Sequence, residues 1–232
     1  MNRENAQADA DATTLRLSLD AKATVAVGDF SREGYSRVET EACDHDFKPS
    51  ATVTPVGILL PQEAQLFLYL VTSKVTSDCL VDCLTLCWQT LREQYPQVTT
   101  LELNLDNGPE SHSRRTQFMA RIVQFVRDSH VTVRLAYYPP YHSKYNPVER
   151  CWGILEQHWN GALLDSVQTV INFATSMTWK GLRPVVATLD TVYATGVKLS
   201  KLAMADSEAQ IQRLPGLEKW FVTISPEGVW ET

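Results

Sequence analysis

The chain has 232 residues, of which 44% are hydrophobic and 21% charged, and its formal net charge at pH 7 is −6. This composition is ordinary for a globular protein of one large domain or two small ones, and it excludes a disordered, collagen-like or coiled-coil chain. No apolar run approaches the roughly 20 residues that cross a bilayer. The first fourteen residues lack the apolar middle of a signal peptide. Five cysteines, an odd number, favour reduced thiols over a disulfide framework.

The charge is unevenly distributed along the chain. Residues 111–150 hold seven Lys or Arg against two acidic residues, a net charge of +5, whereas residues 1–46 have a net charge of −5. A local basic stretch in an acidic chain fits a confined site for a polyanion, and it fits a solvated helix face equally well.

The first part of the chain has the patterns of strands. Apolar and polar residues alternate from Leu15 to Ala23, which predicts a strand, and a short second strand is expected through Val25 and Val27. Residues 32–55 are polar without clear periodicity and indicate an irregular excursion. Two apolar runs joined through residues 62–65 then predict a hairpin of buried strands.

The remainder of the chain alternates between helical and strand patterns. Such an order predicts a mixed sheet covered by helices, an α/β fold. The expected segments are a helix from Leu80 to Leu91, a strand from Leu101 to Leu105, a helix from Phe118 to Val126, the strand VTVRLAYY, the helix PVERCWGILEQHWNG, and a last helix capped by Asp165 that runs through Trp179. The stripe of Cys79, Cys83 and Cys87 on the first of these helices is expected to pack in the core.

Three carboxylates are candidates for shared chemistry. Asp20 and Asp106 lie on the polar faces of alternating strands, and Glu149 falls in the first turn of a helix. On neighbouring strands the two aspartates would stand about 5 Å apart, close enough to share a hard divalent cation. Three oxygen ligands without a His or Cys cluster fit Mg²⁺ or Mn²⁺ better than zinc.

Each carboxylate also has an ordinary structural explanation. Asp20 could be an ordinary strand residue that faces solvent. In that case the alternative candidates for the metal ligand are Asp29, Asp44 and Asp46. Asp106 could start the turn at Asn107 and Gly108. Glu149 could complete a capping box in which Asn146 is the N-cap and Pro147 the first helical residue.

Three segments resemble the motif blocks of the DDE transposases, in particular the Rhodopirellula-type insertion-sequence branch of the mariner-like group. They are LSLDAKATVAVGDFSR, LNLDNGPESHSRRTQF and YYPPYHSKYNPVERCWGILEQHWNG. The likeness runs from about Leu15 to Ile224 and includes TGVKLS and EKWFVTI. It implies a ribonuclease-H-like domain over residues 15–224, between a polar, disordered leader at 1–14 and a tail at 225–232. A DNA-recognition region of helix-turn-helix type, usual before the first catalytic strand, is not expected in the leader.

The resemblance also implies a reaction and its residues. Asp20 on the first strand, Asp106 at the end of the fourth and Glu149 on the helix after the fifth would hold two Mg²⁺ or Mn²⁺ ions. The activity would be phosphodiester hydrolysis at transposon ends and transfer of the freed 3′-hydroxyl into target DNA. A homo-oligomeric complex in the bacterial cytoplasm, associated with the nucleoid, is expected.

Further residues are expected around the carboxylates. His112 and Asn107 would lie beside the metal ligands, although His112 could equally be a polar residue at a helix N-terminus. Phosphate contacts are expected from Arg114, Arg115, Lys144 and Arg150, whose alternative is solvated surface charge.

Two other functions are compatible with the same residues. A ribonuclease-H-like nuclease or resolvase would use the same metals without strand transfer. A truncated, inactive transposase remnant would only bind DNA or other subunits. Metal-dependent activity would separate the transposase and the nuclease or resolvase from the inactive remnant.

Overall fold

The computed structural model describes residues 1–30, 35–36, 42, 48–139 and 145–226, and within these ranges the chain forms nine strands and six helices. The strands are β1 Thr14–Ala21, β2 Val25–Val27, β3 Ala51–Leu60, β4 Gln65–Val71, β5 Thr100–Leu105, β6 Thr132–Tyr137, β7 Val185–Leu189, β8 Ile211–Arg213 and β9 Phe221–Ile224. The helices are α1 Asn2–Ala10, α2 Ser77–Leu91, α3 Thr116–Ser129, α4 Glu149–Trp159, α5 Val167–Ser176 and α6 Lys201–Glu208.

The strands form one mixed sheet in the order β7-β4-β3-β1-β5-β6-β9-β8, with β2 paired to β3. β1 runs parallel to β5 and antiparallel to β3, while β4 is antiparallel to β3 and parallel to β7. The carboxyl ends of β1, β4, β5, β6 and β7 therefore meet at one edge of the sheet. This edge is where ligands bind in open α/β sheets.

Apolar residues on the two sides of the sheet build two separate cores. Leucines of β1 and β5 pack with the apolar faces of α2 and α3 on one side. On the other side, α4 and α5 pack over β2, β3 and β4, with Trp159 fully buried. Cys79, Cys83 and Cys87 are free, buried thiols of the first core, as their helical spacing predicts.

The N-terminal segment differs from the disordered leader that its composition predicts, because residues 2–10 form α1. Ala8 is the one buried apolar residue that the structure describes in this helix, and polar contacts leave no apolar periodicity in the sequence. The Asn104 amide donates to Asn5 Oδ1 at 3.2 Å, and Arg16 forms an ion pair with Asp9 at 2.6 Å. Polar side chains of the sheet thus hold α1 in place.

Other boundaries also move from their predicted positions. Residues 51–55, expected in the irregular excursion, begin β3, because they pair with β2 and β4. The last predicted helix is α5, which is capped by Ser166 through the Thr169 N–H at 3.2 Å and ends at Ser176. In the part of the chain described, no helix combines the length and apolar character needed to cross a membrane.

Candidate active site

The two candidate aspartates lie side by side at the carboxyl edge of the sheet. In the parallel pairing of β1 with β5, Leu19 faces Leu105, so that Asp20 and Asp106 occupy the next position on adjacent strands. The leucines point into the first core, and the alternation of side chains places both aspartates on the opposite face. Both line a cavity of about 310 Å³.

The predicted strand numbers need one adjustment. Asp20 lies on β1, as expected, but Asp106 directly follows the fifth strand and Glu149 begins the helix after the sixth. The difference is the short strand β2, which the numbering implied by the resemblance does not count and which pairs with β3. The placement of each carboxylate at the end or start of its element is unaffected.

The surroundings of Asp20 shift the pKa of its carboxyl. Burial raises the pKa of its carboxyl from 3.8 to about 7; the hydrogen bond from Trp152 opposes this rise, and the negative charges of Asp106 and Glu149 add to it. The indole N–H of Trp152 donates to Asp20 Oδ2 at 2.7 Å. Without a cation, the surroundings of Asp20 disfavour its ionised form.

The segment before Glu149 is tied to β1 by a buried polar latch made of Ser18 and Asn146. The Ser18 hydroxyl donates to Asn146 Oδ1 and accepts from the Val148 N–H at 3.0 Å, while the Asn146 amide donates to the Leu19 carbonyl at 3.2 Å. Ser18 and Asn146 are both fully buried. Glu149 is therefore held relative to the strand that carries Asp20.

This latch replaces the capping box that the NPVE sequence predicts. α4 begins at Glu149, and the side chain of its N-cap residue, Val148, makes no capping hydrogen bond. The Asn146 side chain is directed to β1 instead. A long-range partner has displaced the local one, which sequence spacing alone cannot reveal.

A glycine lets α4 approach the sheet at this point. Gly57 of β3 pairs with Asp20, and a Cβ atom at Gly57 would lie 2.6 Å from Trp152 Cη2 and 2.8 Å from Val148 Cγ2. The absent side chain leaves space for the Trp152 ring that reaches Asp20. Gly57 thus belongs to the framework of the site.

The carboxylates interact electrostatically but do not yet form a ligand set. Within the described ranges, no three His, Cys, Asp or Glu side chains are grouped closely enough to hold a metal ion as they stand. Asp106 Oδ1 instead accepts the Gly108 N–H at 3.2 Å. The chemistry of the donors, all carboxylate oxygens beside a carboxyl that resists ionisation, nevertheless fits a hard divalent cation.

The residues expected beside the metal ligands have local surroundings. Asn107 is exposed in the loop that follows Asp106. His112 Nδ1 accepts the Arg114 N–H at 3.2 Å. Burial and the neighbouring Arg115 guanidinium lower the pKa of His112, which favours the neutral ring. Neither residue lines the cavity of the aspartates, and their role there stays a prediction.

The predicted phosphate-binding residues fall into three groups. Arg114 and Arg150 are exposed, Arg150 in the first turn of α4 beside Glu149. Arg115 forms an ion pair with Glu110 at 3.1 Å, which partly neutralises it. Lys144 lies outside the described residues, as do Asp44 and Asp46.

Sequence reasoning missed four residues of the site. They are Ser18, Lys22, Gly57 and Trp152. Lys22 lines the same cavity as the aspartates and forms an ion pair with Glu156 of α4. Two signals were available: Ser18 shares the polar face of β1 with Asp20, and Trp152 follows Glu149 by one helical turn.

The mixed sheet flanked by helices, with carboxylates at the end of adjacent parallel strands, defines a ribonuclease-H-like α/β domain. The model of one family matches residues 1–226, and the chain belongs to that family, the Rhodopirellula transposase DDE domain. Comparison with the curated proteins finds no significant match.

The fold is similar to that of a solved transposase structure. The Mos1 transposase paired-end complex with the left transposon end matches with a TM-score of 0.51 and 11% identity, over 74% of this chain and 50% of that chain. The Mos1 mariner paired-end complex with Mn has a TM-score of 0.49 and 12% identity, over 73% and 49% of the two chains. The protein spans about half the length of these relatives.

Proposed function

We propose that this protein is the catalytic domain of a DNA transposase that cuts a phosphodiester at a transposon end and joins the freed 3′-hydroxyl to target DNA. The observation that carries the proposal is the juxtaposition of Asp20 with Asp106 and Glu149 in a member of the DDE-domain family. In both steps an oxygen nucleophile attacks phosphorus and a P–O bond to a 3′-oxygen breaks. The number of phosphodiester bonds is conserved in the joining step.

Asp20, Asp106 and Glu149 are the residues that would hold two Mg²⁺ or Mn²⁺ ions. When bound, the ions would polarise the phosphodiester, activate the attacking oxygen and stabilise the leaving oxygen. The protein supplies the anionic ligands and fixes them: Trp152 orients the Asp20 carboxylate, and the Ser18–Asn146 latch positions the backbone before Glu149. Lys22, in the same cavity, is held by its ion pair with Glu156 of α4.

The partners follow from this chemistry. The substrate is DNA, with phosphate contacts from Arg114, Arg115, Lys144 and Arg150, and the active complex is a homo-oligomer that joins two ends. The place of action is the bacterial cytoplasm beside the nucleoid. His112 and Asn107, which border the loop after Asp106, would contact water or phosphate next to the ions.

The decisive experiment compares wild type with Glu149→Gln. The substrate is a duplex with a free 3′-hydroxyl end, incubated with supercoiled plasmid in Mg²⁺ or Mn²⁺. We expect wild type to nick or join DNA only when the metal is present, and Glu149→Gln to lose at least 100-fold in rate, since a neutral amide is a poor ligand for a hard cation. Glu93→Gln, at an exposed position after α2, is the matched control and should keep full activity.

The outcomes separate the alternatives. Metal-dependent nicking that survives Glu149→Gln would remove this residue from the site. Nicking without joining would favour a nuclease or resolvase. No activity in folded wild type, with DNA binding retained, would favour a binding-only protein.

A further inference from the structure

A second cavity of about 550 Å³ opens at the same sheet edge as the carboxylates. It shares three wall residues, Thr24, Thr54 and Val75, with the cavity of Asp20 and Asp106. The two cavities are thus adjacent parts of one depression, which we call the edge trough. Its second part is lined by hydroxyl side chains and one lysine: Thr24, Thr52, Thr54, Thr72, Ser73 and Lys74.

The topology of the sheet explains why these residues meet. β3 begins and β4 ends at the edge where β1 and β5 end, so that Thr52 and Thr54 lie between Asp20 and the residues that follow Val71. The trough crosses from β5 over β1 and β3 to β4. Three strand spacings amount to about 14 Å. This length accommodates several successive phosphates of one nucleic-acid strand.

The hydroxyls of the trough differ in their capacity to donate. Thr24 Oγ1 and Thr54 Oγ1 are 2.8 Å apart, so one donates to the other and the second keeps its hydrogen for a ligand. Thr52 is exposed and makes no side-chain hydrogen bond within the described part of the chain. Two other hydroxyls already donate within the protein. The Thr72 hydroxyl donates to Asp190 Oδ1 at 3.1 Å, and the Ser73 hydroxyl donates to the Thr191 carbonyl at 2.7 Å.

The first part of the trough carries Lys22 and the carboxylates Asp20, Asp106 and Glu110, and its second part carries Lys74. Lys22 is compensated by Glu156. Asp190 is a carboxylate close to the trough, where it accepts the Thr72 hydroxyl. Lys74 is exposed and has no ion-pair partner among the residues described, so its ammonium is available to an anionic ligand.

The donors of the trough match a sugar–phosphate backbone. Lysine and threonine side chains are common phosphate contacts, which position a protein on DNA without reading its sequence. Among the residues that the structure describes, the trough offers no amide or guanidinium side chain of the kind that reads base edges through paired hydrogen bonds. We propose that the edge trough binds the backbone of the DNA strand that leads to the carboxylates, without preference for base sequence. This inference rests on the proposed function.

The test measures the binding of a 30-base-pair duplex with a free 3′-hydroxyl end by fluorescence anisotropy in EDTA. Lys74→Gln should weaken binding three- to tenfold and reduce the slope of log K against log salt by about 0.9. Thr52→Val should weaken binding about two- to fivefold, whereas Thr52→Ser, which keeps the hydroxyl, should bind like wild type. A second duplex of unrelated sequence should give the same ratios. Lys201→Gln, an exposed lysine of α6, is the control and should change neither quantity.

A set of duplexes that each carry one neutral methylphosphonate locates the contact. With the wild-type protein, a methylphosphonate at one or two positions within about 14 Å of the 3′ end should weaken binding. With Lys74→Gln, a methylphosphonate at those positions should cause no further loss of affinity, since a charge pair can be lost only once. Unchanged binding by both Lys74→Gln and Thr52→Val, or additive losses at every position, would overturn the inference. The proposed function would survive if wild type still cut or joined DNA. Wild type that neither binds nor cuts DNA would overturn both.

Discussion

The two faces of β1 and β5 are both buried but are stabilised in different ways. Toward α2 and α3, Leu17 and Leu103 have no exposed surface and pack among apolar side chains. On the opposite face, Ser18 and Asn104 are equally buried. Ser18 forms hydrogen bonds with Asn146 and Val148, and the side-chain oxygen Oδ1 of Asn104 accepts from Arg16 at 3.2 Å.

The two faces differ in how strictly they determine the geometry of the residues packed against them. Apolar packing is non-directional and tolerates other side chains of similar volume. A buried polar group must find a partner with the correct geometry, because an unsatisfied one costs about 1–3 kcal/mol. The apolar face therefore supplies stability, while the polar face fixes the position of α1, the loop before α4 and the carboxylates.

Leu17 and Ser18 are adjacent residues of β1 that face opposite sides of the sheet. Leu17→Ala should lower the free energy of unfolding by about 3–5 kcal/mol through a buried cavity. Ser18→Ala should lower it by about 1–3 kcal/mol, since Asn146 and the Val148 N–H lose a partner. Urea denaturation measures both values.

Activity should rank the same two variants in the opposite order. Per folded molecule, Leu17→Ala should cut DNA at nearly the wild-type rate, whereas Ser18→Ala should lose tenfold or more, because the backbone before Glu149 is no longer held. Equal activity per folded molecule would show that the latch is structural only.

The second prediction concerns the pH dependence that Asp20 imposes on the metal-free protein. Its folded-state pKa, about 7, exceeds the ordinary 3.8. The native state therefore binds this proton more tightly than the unfolded state, and stability falls as the pH rises from about 4 to 7. Asp20→Asn should remove the fall and leave the protein roughly 2–4 kcal/mol more stable than wild type at pH 8 in EDTA.

Thermal unfolding from pH 4 to 8 checks this expectation. The two proteins should converge near pH 4, where the carboxyl is protonated in both states. Millimolar Mg²⁺ or Mn²⁺ should then stabilise wild type more than the variant, since only the native wild-type site offers all three carboxylates. Parallel pH profiles for the two proteins would contradict the prediction.

The smallest expected effects come from two glycines around Trp152. Gly57→Ala should destabilise the protein by about 1–3 kcal/mol, because its Cβ would lie 2.6 Å from the Trp152 ring. Gly153→Ala is the matched control: the residue lies within α4, and beyond its own helix the added Cβ would meet no described atom within 4 Å. It should stabilise the helix by up to about 1 kcal/mol. Calorimetry of both variants measures the difference, and equal shifts would show that the α4–sheet approach is not tight.

Local patterns in the sequence predict a large share of the fold. The alternation around Leu17 and Leu103 predicts strands and their core face, and helical spacing predicts α2, α3 and α4, because these signals depend on the period of the backbone alone. The positions of Asp20 and Asp106 on the polar faces of two strands were predictable for the same reason.

The alternating strands, most of the helices and the candidate carboxylates can be predicted from the amino-acid sequence, since each depends on neighbours along the chain. Other features depend on contacts across the fold: which strands are adjacent, that Asn146 bonds to β1 instead of capping α4, that Trp152 reaches Asp20 over Gly57, and that residues 2–10 form a helix. These features join residues as much as 132 positions apart. Their energies come from directional contacts across the fold, which leave no periodic signal in the chain.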